Sequence, residues 1–384
     1  MNSSGNAQPF SKRTFRIAVG LMFFLAGLCF SSWASRIASI QQDLDLSEAA
    51  LGGILFAAPV GLMLSLPISG WLIAMIGSRK LLFISLILYS IALLGLGLSP
   101  NIYLLIFSLF LFGFFGNGVN ISVNTQAILA EKVYAKPIMA SFHGIWSLAG
   151  FTGAIIGSIM IGYNILVYQH FLIIMLIIFI LLSLGYKFLQ KDSGIPAGQP
   201  IFVKPDKSLM GLGLIAFCSL ICEGAMFDWS VVYFKKVILA DGAWIGAGYS
   251  AFMGTMAMGR FFADWFSSRF GIKITLQISG ALTASGLITA VAFPQLITAI
   301  AGFLIVGLGV SSVIPLVYSA AGRSKVLSPG IALAAISTIG FLGFLLGPPV
   351  IGLVAGATSL RVSFSLMAFM GLCVILVASR LKFS

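Results

Sequence analysis

The chain has 384 residues, of which 59% are apolar and only 8% are charged. A soluble domain carries about 25% charged residues, so this composition excludes a disordered chain and an ordinary water-soluble enzyme. A membrane-spanning helix needs roughly 20 apolar residues, and the length allows about twelve such helices with short loops. The net charge of +12 would suggest nucleic acid in a soluble protein, but here the basic residues are scattered between apolar runs. We therefore expect a lipid bilayer as solvent and no nucleic-acid partner.

Glycine, proline and charged residues divide the apolar sequence into two groups of six predicted spans. A short tail, 1–13, precedes the first group, 14–189. The spans of that group are predicted at 14–41, 47–76, 80–98, 102–130, 137–162 and 165–189. A polar stretch with three prolines, 190–207, is predicted to link the two groups. The second group, 208–384, has predicted spans at 208–234, 243–270, 272–293, 295–321, 328–357 and 360–381.

The basic residues indicate the orientation of the chain. With a cytoplasmic N-terminus, 18 of the 22 Lys and Arg residues fall at cytoplasmic ends, Arg260 among them. The other four, on the opposite side, are Arg36, Lys235, Lys236 and Arg361. Because Lys and Arg favour the cytoplasmic side, we expect both termini in the cytoplasm and a multi-pass protein of the bacterial cytoplasmic (inner) membrane. The first apolar run is longer than that of a signal peptide, so we expect it to be retained.

The two groups of spans repeat each other. Three glycine pairs from different spans share an offset of 194 residues: Gly77 with Gly271, Gly113 with Gly307, and Gly153 with Gly347. Trp33 and Trp229 are offset by 196. Two related six-helix halves are typical of transporters, with the substrate path between them. The predicted fold class is an all-α integral membrane protein whose twelve transmembrane helices form two pseudo-symmetric six-helix bundles.

The loop after the second span resembles that of the major facilitator superfamily, Gly-x-x-x-Asp-Arg-x-Gly-Arg-Arg/Lys. Gly70, Gly77, Arg79 and Lys80 match this pattern, whereas Ala74 stands where the family has Asp. The second half carries a looser copy with Gly259, Arg260, Asp264, Arg269, Gly271 and Lys273. The resemblance implies a transporter gated by cytoplasmic charge pairs. Without the acid of the first half, Asp264 with Arg260 or Arg269 would carry that gate.

Two further stretches resemble a bacterial branch near the fucose permease and the sugar porters. One is Trp33-Ala34-Ser35-Arg36-Ile37, and the other combines Glu223-Gly224-Ala225 with Asp228-Trp229-Ser230. This resemblance implies uptake of a sugar or sugar derivative. The fifth span lacks the Gly-Pro motif that is typical of drug-efflux members, which argues mildly against efflux.

Glu223 is the sharpest chemical signal in the sequence. It lies about 22 Å along the seventh span, near the bilayer midplane. A carboxylate there costs about 2.5 to 3.5 kcal/mol, so it should face a cavity or a partner. Burial favours its protonated form, which makes Glu223 a candidate proton carrier. The alternative is a hydrogen-bonded structural acid.

Asp228 and Arg36 lie nearer the outer boundary, in the pseudo-symmetric seventh and first spans. They could face each other across the path as an outer gate or a coupled relay, with Asp228 a second proton-coupling candidate. Alternatively, each side chain could reach the interface separately.

Amide and aromatic side chains supply candidates for solute binding. Asn117, Asn120 and Asn124 share one helical face of the fourth span, where amides could bind hydroxyl groups or join helices. Trp33, Trp146 and Trp229 could stack on sugar rings, or anchor the helices at the interface. His143 lies one turn from Trp146, and either a proton relay or a structural role fits it.

No motif in the sequence indicates an enzyme. There is no phosphate loop, HExxH, paired CxxC or nucleophile elbow. Cys218 and Cys222 are one turn apart but lie in apolar sequence, which favours helix packing over metal binding. We expect no metal, no cofactor and a monomer. The sequence favours proton-coupled uptake of a small polar solute by alternating access, with proton-driven drug or metabolite efflux and a non-transporting receptor or scaffold as alternatives.

Overall fold

The computed structural model describes residues 11–134, 138–191, 207–322 and 329–381. The predicted tail and linker therefore fall largely outside the described residues. The helices of the first half are Lys12–Asp43, Glu48–Leu55, Ala57–Ile76, Ser78–Gly97, Ile102–Tyr134, Met139–Gly162 and Val167–Tyr186. Those of the second half are Lys207–Lys236, the 3-10 helix Gly242–Gly246, Ala247–Ala292, Leu296–Ser311, Val313–Gly322, Pro329–Ala357 and Leu360–Arg380. The described ranges contain no strand.

These helices form twelve membrane spans. Two helices in line make up the second span, and two more make up the tenth. Eleven helical stretches of the described chain are long and apolar enough to cross a membrane, and one of them, Trp265–Ala292, begins inside the 46-residue helix Ala247–Ala292. The earlier part of that helix is the eighth span in chain order. Added to the eleven stretches, it brings the number of spans to twelve. An even number of spans places both ends of the described chain on one side, here called the terminus side; the opposite side is the far side.

The same backbone turn follows the second span of each half. Gly77 has φ 79° and ψ 158°, and Gly271 has φ 80° and ψ 158°. A residue with a Cβ rarely adopts this conformation, so both positions require glycine. The equivalence of Gly77 and Gly271 predicted from their spacing is confirmed, and it supports the pseudo-symmetry of the two bundles.

The two halves are joined at the far side by charged contacts. Lys236 Nζ, at the end of the seventh span, lies 2.7 Å from Glu48 Oε1 at the start of the second span. Lys235 donates a hydrogen bond to Gln42 at the end of the first span. These contacts connect the first half to the second at the far-side ends of their helices.

Close backbone packing reinforces the far-side contact. The second span meets the eleventh where Gly52 faces Gly352, and a Cβ added to Gly52 would lie 2.8 Å from the Gly352 Cα. Near the far-side end of the fifth span, a Cβ added to Gly246 would lie 2.0 Å from Ser158 Oγ. The two halves are therefore in close contact at the far side.

Candidate transport site

A polar contact joins the two halves deep within the membrane. Arg260 Nη2 lies 3.2 Å from Glu223 Oε1, and Arg260 Nη1 donates a hydrogen bond of 2.6 Å to Ser147 Oγ. Glu223 and Arg260 belong to the second half, whereas Ser147 belongs to the fifth span of the first half. One guanidinium thus neutralises a buried carboxylate and bridges the halves.

The helix geometry places this contact near the bilayer midplane. At 1.5 Å per residue, Glu223 lies about 24 Å from Lys207, which begins the seventh span at the terminus side. Arg260 lies about 20 Å from Ala247, which begins the eighth span at the far side. Glu223 is only 5% exposed. A buried charge of this kind requires a partner, and Arg260 supplies both the opposite charge and a hydrogen bond.

Five aromatic side chains adjoin this contact and form what we call the aromatic cluster: Phe30, Trp146, Phe227, Phe252 and Phe344. The Phe227 ring centroid is 5.1 Å from that of Phe30, 6.3 Å from Trp146, 5.7 Å from Phe252 and 6.4 Å from Phe344. The Arg260 guanidinium lies 5.9 Å from the Trp146 ring centroid. The cluster draws on both halves and packs beside the ion pair, with Phe227 and Phe252 buried and the other three rings half-buried.

The small residue beside Glu223 allows this packing. A Cβ added to Gly224 would lie 2.9 Å from Phe344 Cδ1. The missing side chain therefore lets the eleventh span bring Phe344 against the seventh. The Phe344 ring therefore lies against Gly224, the residue that follows the buried acid Glu223.

Further polar groups surround the ion pair. Tyr318 of the tenth span lies within electrostatic range of Glu223, and its hydroxyl accepts a hydrogen bond of 3.0 Å from Ser337. His143 is exposed, lies within electrostatic range of Arg260, and makes an edge contact with Phe23 at 5.4 Å. The site therefore combines an acid, a guanidinium, an imidazole and hydroxyl groups with aromatic walls.

The position predicted for Arg260 from the sequence is wrong. Its place in the looser copy of the loop motif predicts a cytoplasmic end, but Arg260 lies mid-membrane and pairs with Glu223. The side chain of its other predicted partner, Asp264, lies outside the described residues, and Arg269 is exposed. In the first half, the Arg79 guanidinium lies 4.4 Å from the Tyr186 ring centroid and so packs within its own bundle.

The glycine predicted for gating just before this turn has open space around it. No heavy atom lies within 4 Å of a Cβ added to Gly70. Its role in gating stays a prediction.

The predicted pairing of Arg36 with Asp228 is also wrong. Arg36 Nη2 donates a hydrogen bond of 2.5 Å to the Ile165 carbonyl, within the first half. Asp228 is half-buried and lies within electrostatic range of Tyr249. The ion pairs Lys236–Glu48 and Arg260–Glu223 include neither of these two residues.

The three amides of the fourth span have different surroundings. Asn117 is 3% exposed, and its Nδ2 has no hydrogen-bond partner in the described chain. Asn120 is exposed, and its side-chain oxygen accepts a hydrogen bond of 3.0 Å from Asn124. Solute binding by Asn117 and Asn120 stays a prediction.

Trp33 and Trp229 are buried, with exposures of 3% and 0%. Interfacial anchoring is therefore wrong for both residues, since an anchor must reach the membrane surface. Trp33 packs against Phe112 at a centroid distance of 6.2 Å. Only Trp146 of the three tryptophans belongs to the aromatic cluster, where it is half-buried.

Sequence reasoning missed most of the aromatic cluster, Ser147 and the far-side pair Lys236–Glu48. The chain has 33 phenylalanines, so no pattern distinguishes Phe227 from the phenylalanines that face lipid. A mid-span serine carries no signal either. Lys236 and Glu48 lie at predicted loop ends, and their opposite charges on different halves are the one clue available from the sequence.

Comparison with known proteins shows which family of proteins this chain resembles. Residues 19–324 match the Major Facilitator Superfamily. The chain is 32% identical over 362 residues to an uncharacterized MFS-type transporter of Yersinia pestis, covering 94% of each chain. It is 32% identical over 366 residues to the uncharacterized transporter y4wD of Sinorhizobium fredii, covering 94% of this chain and 96% of the relative. Over 348 residues, it is 28% identical to the membrane protein MosC of Rhizobium meliloti, covering 89% and 84%.

Solved structures share the fold at low sequence identity. A crystal structure of the nucleoside transporter NupG superposes with a TM-score of 0.73 at 15% identity, covering 96% of this chain and 98% of NupG. The human organic anion transporter MFSD10 superposes with a TM-score of 0.67 at 15% identity, covering 96% and 100%. At these identities the likeness concerns the fold.

Proposed function

Because this chain belongs to the Major Facilitator Superfamily, we propose that it is a proton-coupled secondary transporter that takes up a small polar solute by alternating access. The observation that carries this proposal is the contact of Arg260 with both Glu223 and Ser147. It unites a titratable acid, its counter-charge and the boundary between the halves in one place.

Protonation of Glu223 is the proposed coupling step. The ionised carboxylate holds Arg260 by charge, whereas the neutral acid removes that attraction and leaves the guanidinium less constrained. The hydrogen bond from Arg260 to Ser147, which belongs to the opposite half, then weakens. Proton binding would in this way bias the relative position of the halves. His143, near Arg260, is the proposed route for the proton from the terminus side.

The aromatic cluster favours a solute with a flat apolar face and polar edges. A sugar ring or sugar derivative meets that description, because its C–H face stacks on aromatic rings and its hydroxyls accept hydrogen bonds from Arg260 and the amides of the fourth span. The structurally similar NupG is a nucleoside transporter, and a nucleoside also carries a sugar. Nucleosides therefore belong in the first set of solutes to be tested.

We further propose that the terminus side is cytoplasmic and that the membrane is the bacterial inner membrane. The excess of basic residues on that side supports this orientation. The far-side contacts then form an outer gate, in which Lys236–Glu48 closes the path to the exterior. This arrangement corresponds to an inward-facing state.

The direction of transport separates uptake from efflux. A thermal-shift panel of sugars, sugar derivatives and nucleosides first selects a solute that raises the unfolding temperature. Right-side-out vesicles with an imposed inward proton gradient should then accumulate that solute. Expulsion would support an efflux antiporter instead, and a flux indifferent to the gradient would contradict proton coupling.

A further inference from the structure

A groove opens at the terminus-side end of the first span, away from the candidate transport site. Its volume is about 670 Å³, and its lining comes from the first span, the end of the fourth and the start of the fifth: Arg13, Arg16, Ile17, Gly20, Leu21, Phe24, Tyr134, Phe142 and Ile145. Two arginines stand at one end, and apolar residues continue from them along about 16 Å of helix between Arg13 and Phe24.

The apolar lining residues Ile17, Leu21 and Phe24 lie on the side of the first span that points away from the second half. Phe30 contacts Phe227 of the second half, so this side of the first span faces the centre. Leu21 lies nine positions before Phe30, about half a turn around the helix. Leu21 also packs beside Gly185 of the outlying sixth span. Ile17, in the middle of the groove, is 61% exposed.

The arginines leave donors free for an anion. Arg13 is exposed and makes no hydrogen bond or ion pair within the described residues. Arg16 is half-buried, donates a hydrogen bond of 3.3 Å to Ser141 and lies 5.4 Å from the Tyr134 ring centroid. That contact holds one guanidinium in place, and further N–H groups stay available because a guanidinium has five.

No acidic residue offsets this charge among the lining residues that the structure describes. Glu131, three positions before Tyr134, accepts hydrogen bonds of 2.8 Å from the Ile138 and Met139 amides. Its carboxylate therefore fixes the start of the fifth span. The groove combines positive charge at the membrane surface with an apolar channel running inward.

We propose that this groove binds an anionic glycerophospholipid of the leaflet at the terminus side. The phosphate pairs with Arg13 and Arg16, and an acyl chain lies along Ile17, Leu21 and Phe24. Basic pockets between membrane helices recognise lipid headgroups by this combination of charge and apolar depth. A bound lipid would connect the first span to the fifth, which carries Ser147 of the transport site.

The experiment uses the full chain in a neutral detergent with two lipids of identical acyl chains. Phosphatidylglycerol is expected to raise the unfolding temperature and to stay bound in native mass spectrometry, whereas phosphatidylcholine does neither. Arg13→Gln should weaken the apparent affinity for phosphatidylglycerol about fivefold, and Arg16→Gln by a similar factor. Lys80→Gln, which removes an exposed charge on the same side outside the groove, is the matched control and should leave the affinity unchanged.

Several outcomes would overturn this proposal. Equal binding of the two lipids would remove the role of charge, and equal weakening by Arg13→Gln and Lys80→Gln would reduce it to general surface attraction. Stabilisation by glycerol 3-phosphate as strong as that by the lipid would indicate a soluble phosphate ligand. Should Arg16→Gln fail to fold, Arg13→Gln decides alone, because Arg13 makes no contact that folding requires.

Discussion

The buried pair Glu223–Arg260 allows a quantitative test of the site by charge removal. Replacing Arg260 with Met keeps much of the side-chain volume but leaves Glu223 without its counter-charge. The atoms are 3.2 Å apart, and the two side chains are 7% and 19% exposed, so solvent screens the pair weakly. Removing one partner of such a pair costs about 3 to 5 kcal/mol in free energy of unfolding.

A double variant distinguishes this electrostatic effect from lost packing. Glu223→Gln combined with Arg260→Met removes both charges, and we expect it to recover at least half of the stability that Arg260→Met alone loses. The matched control is Lys236→Met, which breaks a pair whose side chains are 40% and 25% exposed. That change should cost no more than about 1 kcal/mol.

The assay is denaturant unfolding in mixed lipid–detergent micelles at pH 8. A lower pH would favour protonation of the Glu223 that Arg260→Met leaves without its partner, and would hide the cost of its charge. The reasoning fails if Arg260→Met destabilises no more than Lys236→Met. It also fails if the double variant is no more stable than Arg260→Met.

Three further predictions concern the gate and the loop turn. Lys236→Gln should weaken far-side closure, and labelling of an Asp228→Cys reporter by a membrane-impermeant thiol reagent from the far side should rise; unchanged labelling would remove this residue from the gate. Gly352→Val should increase the same labelling further, because its Cβ would lie 2.6 Å from a backbone oxygen of the second span, and a decrease would contradict the packing. Gly271→Ala should cost about 1 to 3 kcal/mol in unfolding free energy through its φ of 80° and ψ of 158° alone, since no atom within 4 Å opposes a Cβ. Gly70→Ala is its control, because Gly70 has equally open space but lies inside a helix, and equal losses would refute the backbone argument.

Local sequence patterns were enough to predict the spans and the repeat. Each span is a continuous apolar run, and the turn glycines Gly77 and Gly271 have a conformational requirement that is independent of tertiary structure. The position of Glu223 followed from helix rise alone. Such features depend on a residue and its near neighbours in the chain, so a single sequence contains them.

The composition of the site could not be predicted in the same way. The sequence around Arg260 resembles a loop motif, and only the length of its helix shows that Arg260 lies mid-membrane. Its partners, Glu223 and Ser147, come from two other spans, and the packing angle between helices determines which residues meet. The same holds for Phe227, whose role depends on four rings from other spans.

Proton-driven uptake by Glu223→Gln tests the central claim most directly. The variant keeps the shape of the side chain but cannot exchange a proton, and a solute selected by thermal shift serves as the substrate. In right-side-out vesicles with an inward proton gradient, we predict that the wild-type protein accumulates the solute above its external concentration. Glu223→Gln should only equilibrate it, while still binding it. Accumulation by Glu223→Gln equal to that of the wild-type protein would contradict coupling through this residue.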